Sequence, residues 1–151
     1  ICYVSDATLV LTLLAFVGIQ LQGTLYNYYY VILRNKSVGG DSTSKVFEHK
    51  TPRALPGETQ RSVNILFGIY LLVYGAFDHI IHFLDPNAYK VKTFPNWFMT
   101  LVSVYGLGFQ LLIIAVMLPL GYLQFIVPFF ILFTLPIIVL IAIRKYVLGN
   151  N

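Results

Sequence analysis

The residues able to do chemistry crowd into one stretch, Val63 to Leu84 (VNILFGIYLLVYGAFDHIIHFL), which carries Asp78, His79 and His82 near its end. The rest of the stretch is apolar and long enough to cross a bilayer, for which about 20 residues suffice. An ionisable side chain at hydrocarbon depth costs about 2.5–3.5 kcal/mol on insertion scales, so it is expected to face protein or a water-filled cavity. Asp78 and His82 lie four apart and share a helix face, with Tyr74 one turn earlier on it.

Three chemistries fit these residue types. Imidazole with carboxylate suits a zinc, copper or iron ion. A metal needs three or four ligands, however, and the other apolar stretches contain no His, Asp or Glu. A metal at Asp78, His79 and His82 would therefore need ligands from a partner. The same holds for haem b, with His79 or His82 as one axial ligand. Thirdly, Asp78 with a neighbouring imidazole could carry protons or bind a quinone head group, since His titrates near neutral pH. Against these stands a structural role, with Asp78 a buried acceptor for a Tyr, Gln or Arg on a neighbouring helix and His82 at head-group level. The sequence requires no cofactor.

Asn64, Gly68, Leu71, Gly75, Asp78 and His82 recur at three- and four-residue steps, which places them on one helix face. Glycines on such a face let another backbone approach closely. The expected packing interface is thus Asn64, Gly68 and Gly75, joined by Gly106 and Gln110 of a later stretch. Gln20, Gln22 and Gln110 are expected to act as hydrogen-bonding glue between helices.

The whole chain must position these groups. Of its 151 residues, 58% are hydrophobic and 11% charged, against about 25% charged in soluble domains. The expected fold is an all-α integral membrane protein, a single domain of four transmembrane helices. The expected spans are 8–33, 63–84, 97–118 and 122–143. Pro119-Leu120-Gly121 makes spans three and four a tight antiparallel hairpin, and Pro128 and Pro136 are expected to kink span four. The run Tyr26–Tyr30 and the trio Phe94, Trp97 and Phe98 have the character of aromatic belts at the membrane surface. The segment 35–61 is a polar loop, with a short amphipathic turn expected at 44–49. It begins with Asn35-Lys36-Ser37, a three-residue acceptor pattern for glycosylation that chance also produces.

Orientation follows from the basic residues. Arg34, Lys36, Lys45, Lys50, Arg53 and Arg61 outnumber Lys90, Lys92, Arg144 and Lys145 on the other side. That bias puts the long loop in the cytoplasm. The chain opens at Ile1 without Met, leaving room for a preceding segment, and shows no signal-peptide pattern. A net charge of +4, thinly spread, excludes a nucleic-acid interface. The single cysteine, Cys2, excludes an internal disulfide. No GxSxG, phosphate loop, HExxH or CxxC pattern is present.

The segment Gly18–Gln22 (GIQLQ), with Phe67-Gly68-Ile69 beyond the polar loop, resembles the first two spans of the four-span scaffold family of ergosterol biosynthesis. The resemblance covers a minor part of the chain and implies a lipid-pathway scaffold. With packing stripes, almost no extramembrane domain and an incomplete ligand set, the expected role is a small non-catalytic subunit of a larger membrane complex, of respiratory or oxygenase type. Its partners would be the bilayer and other membrane subunits. A redox subunit built on Asp78, His79 and His82, and a lipid-binding membrane module, are the alternatives.

Overall fold

The computed structural model describes residues 8–37, 51–91 and 93–148. The turn expected at 44–49 lies outside them. Among the described residues all regular structure is helical. Three helical runs, Leu9–Lys36, Gln60–Leu84 and Leu123–Tyr146, are long and apolar enough to cross a membrane. A fourth is counted if Asn96–Ser103 and Leu107–Met117, bent by 48° at their junction, form one span.

Helix α1 (Leu9–Ser37) is the axis of the molecule. Its 29 residues extend about 43 Å at 1.5 Å per residue, beyond the roughly 30 Å of a hydrocarbon core. The helix continues through Asn35-Lys36-Ser37, into the polar segment. The Lys36 ammonium donates to the Val91 carbonyl, tying the end of α1 to the loop after span two.

Span two begins with α2 (Gln60–Tyr70), capped by the Thr59 hydroxyl, which accepts from the Ser62 amide. It passes through a π-helical turn, Leu71–Gly75, and ends as α3 (Ala76–Leu84). Only α3 is integrated into the bundle: Ile81 is buried, whereas α2 and the π turn bury nothing. The chain returns through α4 (Asn96–Ser103) and α5 (Leu107–Met117). Between them Gly106 adopts extended geometry, φ −66° and ψ 149°. A Cβ there would stand 3.1 Å from the Ser103 carbonyl and 3.5 Å from the Tyr26 ring, so the break fits closely against α1.

The turn after α5 is a Schellman motif. Tyr122 N–H reaches back to the Met117 carbonyl (3.0 Å) and Gly121 N–H to that of Leu118 (3.1 Å). Gly121 occupies the left-handed position at φ 78°, which costs an L side chain about 1–2 kcal/mol. The last run comprises α6 (Ile126–Thr134) and α7 (Pro136–Tyr146). Pro128 falls in the first turn of α6, where no helical amide bond is lost. Pro136 does interrupt the ladder: Leu135 N–H bonds to Leu132 O in its place.

Packing around α1 forms two apolar clusters. One gathers Leu25, Tyr29, Phe94, Phe98, Val102, Tyr105, Ile137 and Ile141; the other gathers Ala15, Ile126, Val127 and Phe130. Tyr29 meets both Phe94 and Phe98 edge to face at 5.4 Å. Tyr28, Tyr29, Phe94 and Phe98 are therefore core residues, correcting the reading of both aromatic groups as surface belts. Trp97 and Tyr30 remain exposed. The cause is that this end of the bundle is closed over by residues 85–91 and 93–95, among which Asp85, Ala88, Val91 and Phe94 are buried.

Candidate functional site

Three polar centres lie along α1. The first is a chain of amides and hydroxyls where α1 crosses α5 and α6. Gln22 donates to the Thr134 hydroxyl (2.9 Å) and to the Phe130 carbonyl (3.1 Å). Gln110 donates to the Gln22 side-chain oxygen (3.0 Å) and to the Ile19 carbonyl (3.2 Å). Both glutamines are buried. They link three helices, the role expected of Gln22 and Gln110. Gly18 makes the crossing possible, because a Cβ there would overlap the Thr134 hydroxyl.

The second centre was not legible as a unit in the sequence. Asp85 and Arg144, at 0% and 3% exposure, form a buried ion pair. The Tyr29 hydroxyl donates to Asp85 Oδ2 at 2.8 Å. The Tyr28 hydroxyl lies 2.9 Å from the Asp85 carbonyl and 3.2 Å from His82 Nδ1. A phenol has one proton. With it given to the carbonyl, the Tyr28 oxygen is left to accept from His82 Nδ1. This cluster ties the ends of α3 and α7 to α1. Both are interior groups, and Asp85 also opens the turn that follows α3, its carbonyl accepting from the Ala88 amide. Their opposite charges, each closing a span on the same side, were the available signal.

The third centre holds the carboxylate singled out from the sequence. Asp78 lines a cleft of about 190 Å³ between α1 and span two. Tyr70 and Tyr74 form the rest of its span-two wall, and Gln20, Gly23, Thr24 and Asn27 form the α1 wall. Asp78 is half-buried. In a regular helix, positions i, i+4 and i+8 drift by about 40° per step. The wider turn at Leu71–Gly75 offsets much of that drift, so Tyr70, Tyr74 and Asp78 line up on one wall. The Tyr70 and Tyr74 rings are 5.3 Å apart and tilted by 30°.

The same wide turn divides the expected stripe. Asp78 and His82 are half-buried against α1, while Asn64 and Gly68 lie exposed on α2. Asn64 accepts from Gln60 within its own helix. Among the described residues, nothing beyond its own helix backbone lies within 4 Å of where a Gly68 side chain would begin, and Gly75 meets Leu71 of its own span. Of the expected interface, Gly106 and Gln110 alone are packed inside the chain.

His79 is exposed, and His82 belongs to the Asp85 cluster. Among the described residues no group of three or more His, Cys, Asp or Glu is arranged to hold a metal ion. Gln20, Thr24 and Asn27 were not expected at this site. Their signal was present, since 20, 24 and 27 follow helical steps of four and three. No family model, curated protein or solved structure matches the chain.

Proposed function

We propose that this chain is a small, non-catalytic subunit that crosses the membrane four times and assembles with other membrane proteins through the outer face of α2. Counting the bent α4–α5 pair as span three gives four spans, with the Gly121 turn closing spans three and four into a hairpin. The basic residues from Arg34 to Arg61, outnumbering those that follow spans two and four, favour a cytoplasmic long loop.

One observation carries the reading. Only 6% of the membrane window of span two is buried within the chain, against 33% for the last span. The exposed α2 half of that span bears Asn64 and Gly68, a polar and a small residue of the sort that mediates helix contacts in lipid. A span with purely lipid-facing duty needs neither.

Site-directed cross-linking tests it. Gly68→Cys, in a Cys2→Ser background, is treated with a thiol-to-amine cross-linker in native membranes. The expected product is a discrete heavier species, absent when the cysteine is placed at exposed Leu132 instead. A chain that stays monomeric at both positions, and migrates alone on native gels in mild detergent, overturns the proposal.

A further inference from the structure

We propose that the closed end of the bundle is a docking surface for the head groups of anionic phospholipids. This surface is separate from the docking face on α2: it is built by the end of α1, the turn at 85–91 and the end of α7.

Three lysines stand on it. Counted along the chain, Lys36 belongs with the long loop and Lys90 with the turn after span two, yet the bond from the Lys36 ammonium to the Val91 carbonyl brings them to one end. Lys145 joins them because its neighbour Arg144 is paired with Asp85, where that turn begins. All three lysines are exposed. The platform beneath them is held by Asp85, Ala88 and Val91, which are buried.

The surface has a single sign because its one carboxylate is withdrawn from it. Across residues 8–37 and 85–151 the sequence contains one acidic residue, Asp85, and that residue is buried against Arg144. Residues 38–59 add Asp41, Glu48 and Glu58 against Lys45, Lys50 and Arg53, which cancel, and Lys92 adds a further positive charge. Asp78 stands seven residues before Asp85, about 10 Å back along span two.

Exposed aromatic residues set the depth. Tyr89 and Tyr146 adjoin Lys90 and Lys145, and Trp97 lies in the first turn of α4. Phenol and indole rings settle at the head-group level of a bilayer, with the ring at the hydrocarbon boundary and the polar tip wet. Lysines beside them stand where lipid phosphates lie. A phosphate accepts charge-assisted hydrogen bonds from an ammonium, and each basic residue near an anionic surface strengthens attraction by about fivefold. A zwitterionic head group carries its own cation and gains less.

The full chain, reconstituted in vesicles of equal phosphatidylglycerol and phosphatidylcholine, is extracted in mild detergent, and the retained lipid is measured by mass spectrometry. Phosphatidylglycerol should exceed phosphatidylcholine several-fold at about 0.1 M sodium chloride. The excess should shrink at about 1 M, where the screening length falls from about 10 Å to about 3 Å. Lys36→Gln/Lys90→Gln/Lys145→Gln should bring the ratio to parity, with the amide at position 36 still able to donate to the Val91 carbonyl. Arg53→Gln/Arg61→Gln, at the start of span two, should leave the ratio unchanged, and inorganic phosphate should not displace the lipid. Equal retention of the two lipids, an excess that high salt or the triple variant leaves intact, an excess that the Arg53→Gln/Arg61→Gln variant loses, or displacement by phosphate overturns the proposal. The salt comparison uses the unaltered chain, so the test stays decisive if the triple variant does not fold. Failure here leaves the Gly68 cross-linking result untouched.

Discussion

Removing either member of the Asp85–Arg144 pair should be the most damaging single change at the closed end of the bundle. Both side chains are out of solvent, and each neutralises the other. Arg144→Met leaves the Asp85 carboxylate with the Tyr29 hydroxyl as its neutral donor. Asp85→Asn keeps the shape and strands the guanidinium. Breaking a buried pair from one side costs about 3–5 kcal/mol. For a chain of this length about 3 kcal/mol corresponds to roughly 6–12 °C in Tm on soluble-protein scaling. The double variant Asp85→Asn/Arg144→Met removes both charges together, so its loss should be smaller than the sum of the single losses by at least about 2 kcal/mol. The assay is unfolding in detergent micelles followed by circular dichroism, as a full double-mutant cycle. Lys145→Met is the control: this neighbour is exposed, and its loss should stay within about 0.5 kcal/mol. Single variants within about 1 kcal/mol of the parent, or strictly additive losses, would refute the argument that this pair is coupled and interior.

Two further changes probe the backbone. Gly18→Ala should destabilise the α1–α6 crossing by about 1–3 kcal/mol, because the new methyl overlaps the Thr134 hydroxyl. Adding Thr134→Ser should not restore it, whereas adding Thr134→Ala should recover part of the loss in the same melting assay. Gly121→Val should cost about 1–2 kcal/mol through its positive φ alone, while Gly108→Ala, in open space on α5, should not lower the melting temperature.

How much of this was legible depends on the kind of information each feature needs. Apolar run length is a local property, and the helices long and apolar enough to cross a membrane, three or up to four, were accessible for that reason, as was the Gly121 turn. Gln22 and Gln110 were accessible too, because a buried amide in a span has little choice but to bond to a neighbour. The Asp85–Arg144 pair was hidden by distance along the chain: a turn residue and a span-ending arginine each have an adequate local explanation. The buried tyrosines were misread for a similar reason, as belt and core aromatics have the same composition. The division of the Asn64–His82 stripe was beyond reach. A regular helical wheel cannot register one widened turn, and that turn decides which of those residues face α1 and which face outward.

The widened turn also gives span two unequal halves. Below it, α3 is anchored by Ile81 and by the Tyr28–His82–Asp85 cluster; above it, α2 has no buried residue. The span therefore behaves as a cantilever whose root is clamped and whose flexure point forms one wall of the Asp78 cleft. Any force applied to the free arm is felt first at the spacing between Tyr70, Tyr74 and α1. By reciprocity, whatever props that gap open or draws it shut sets the angle at which the arm is presented to its surroundings.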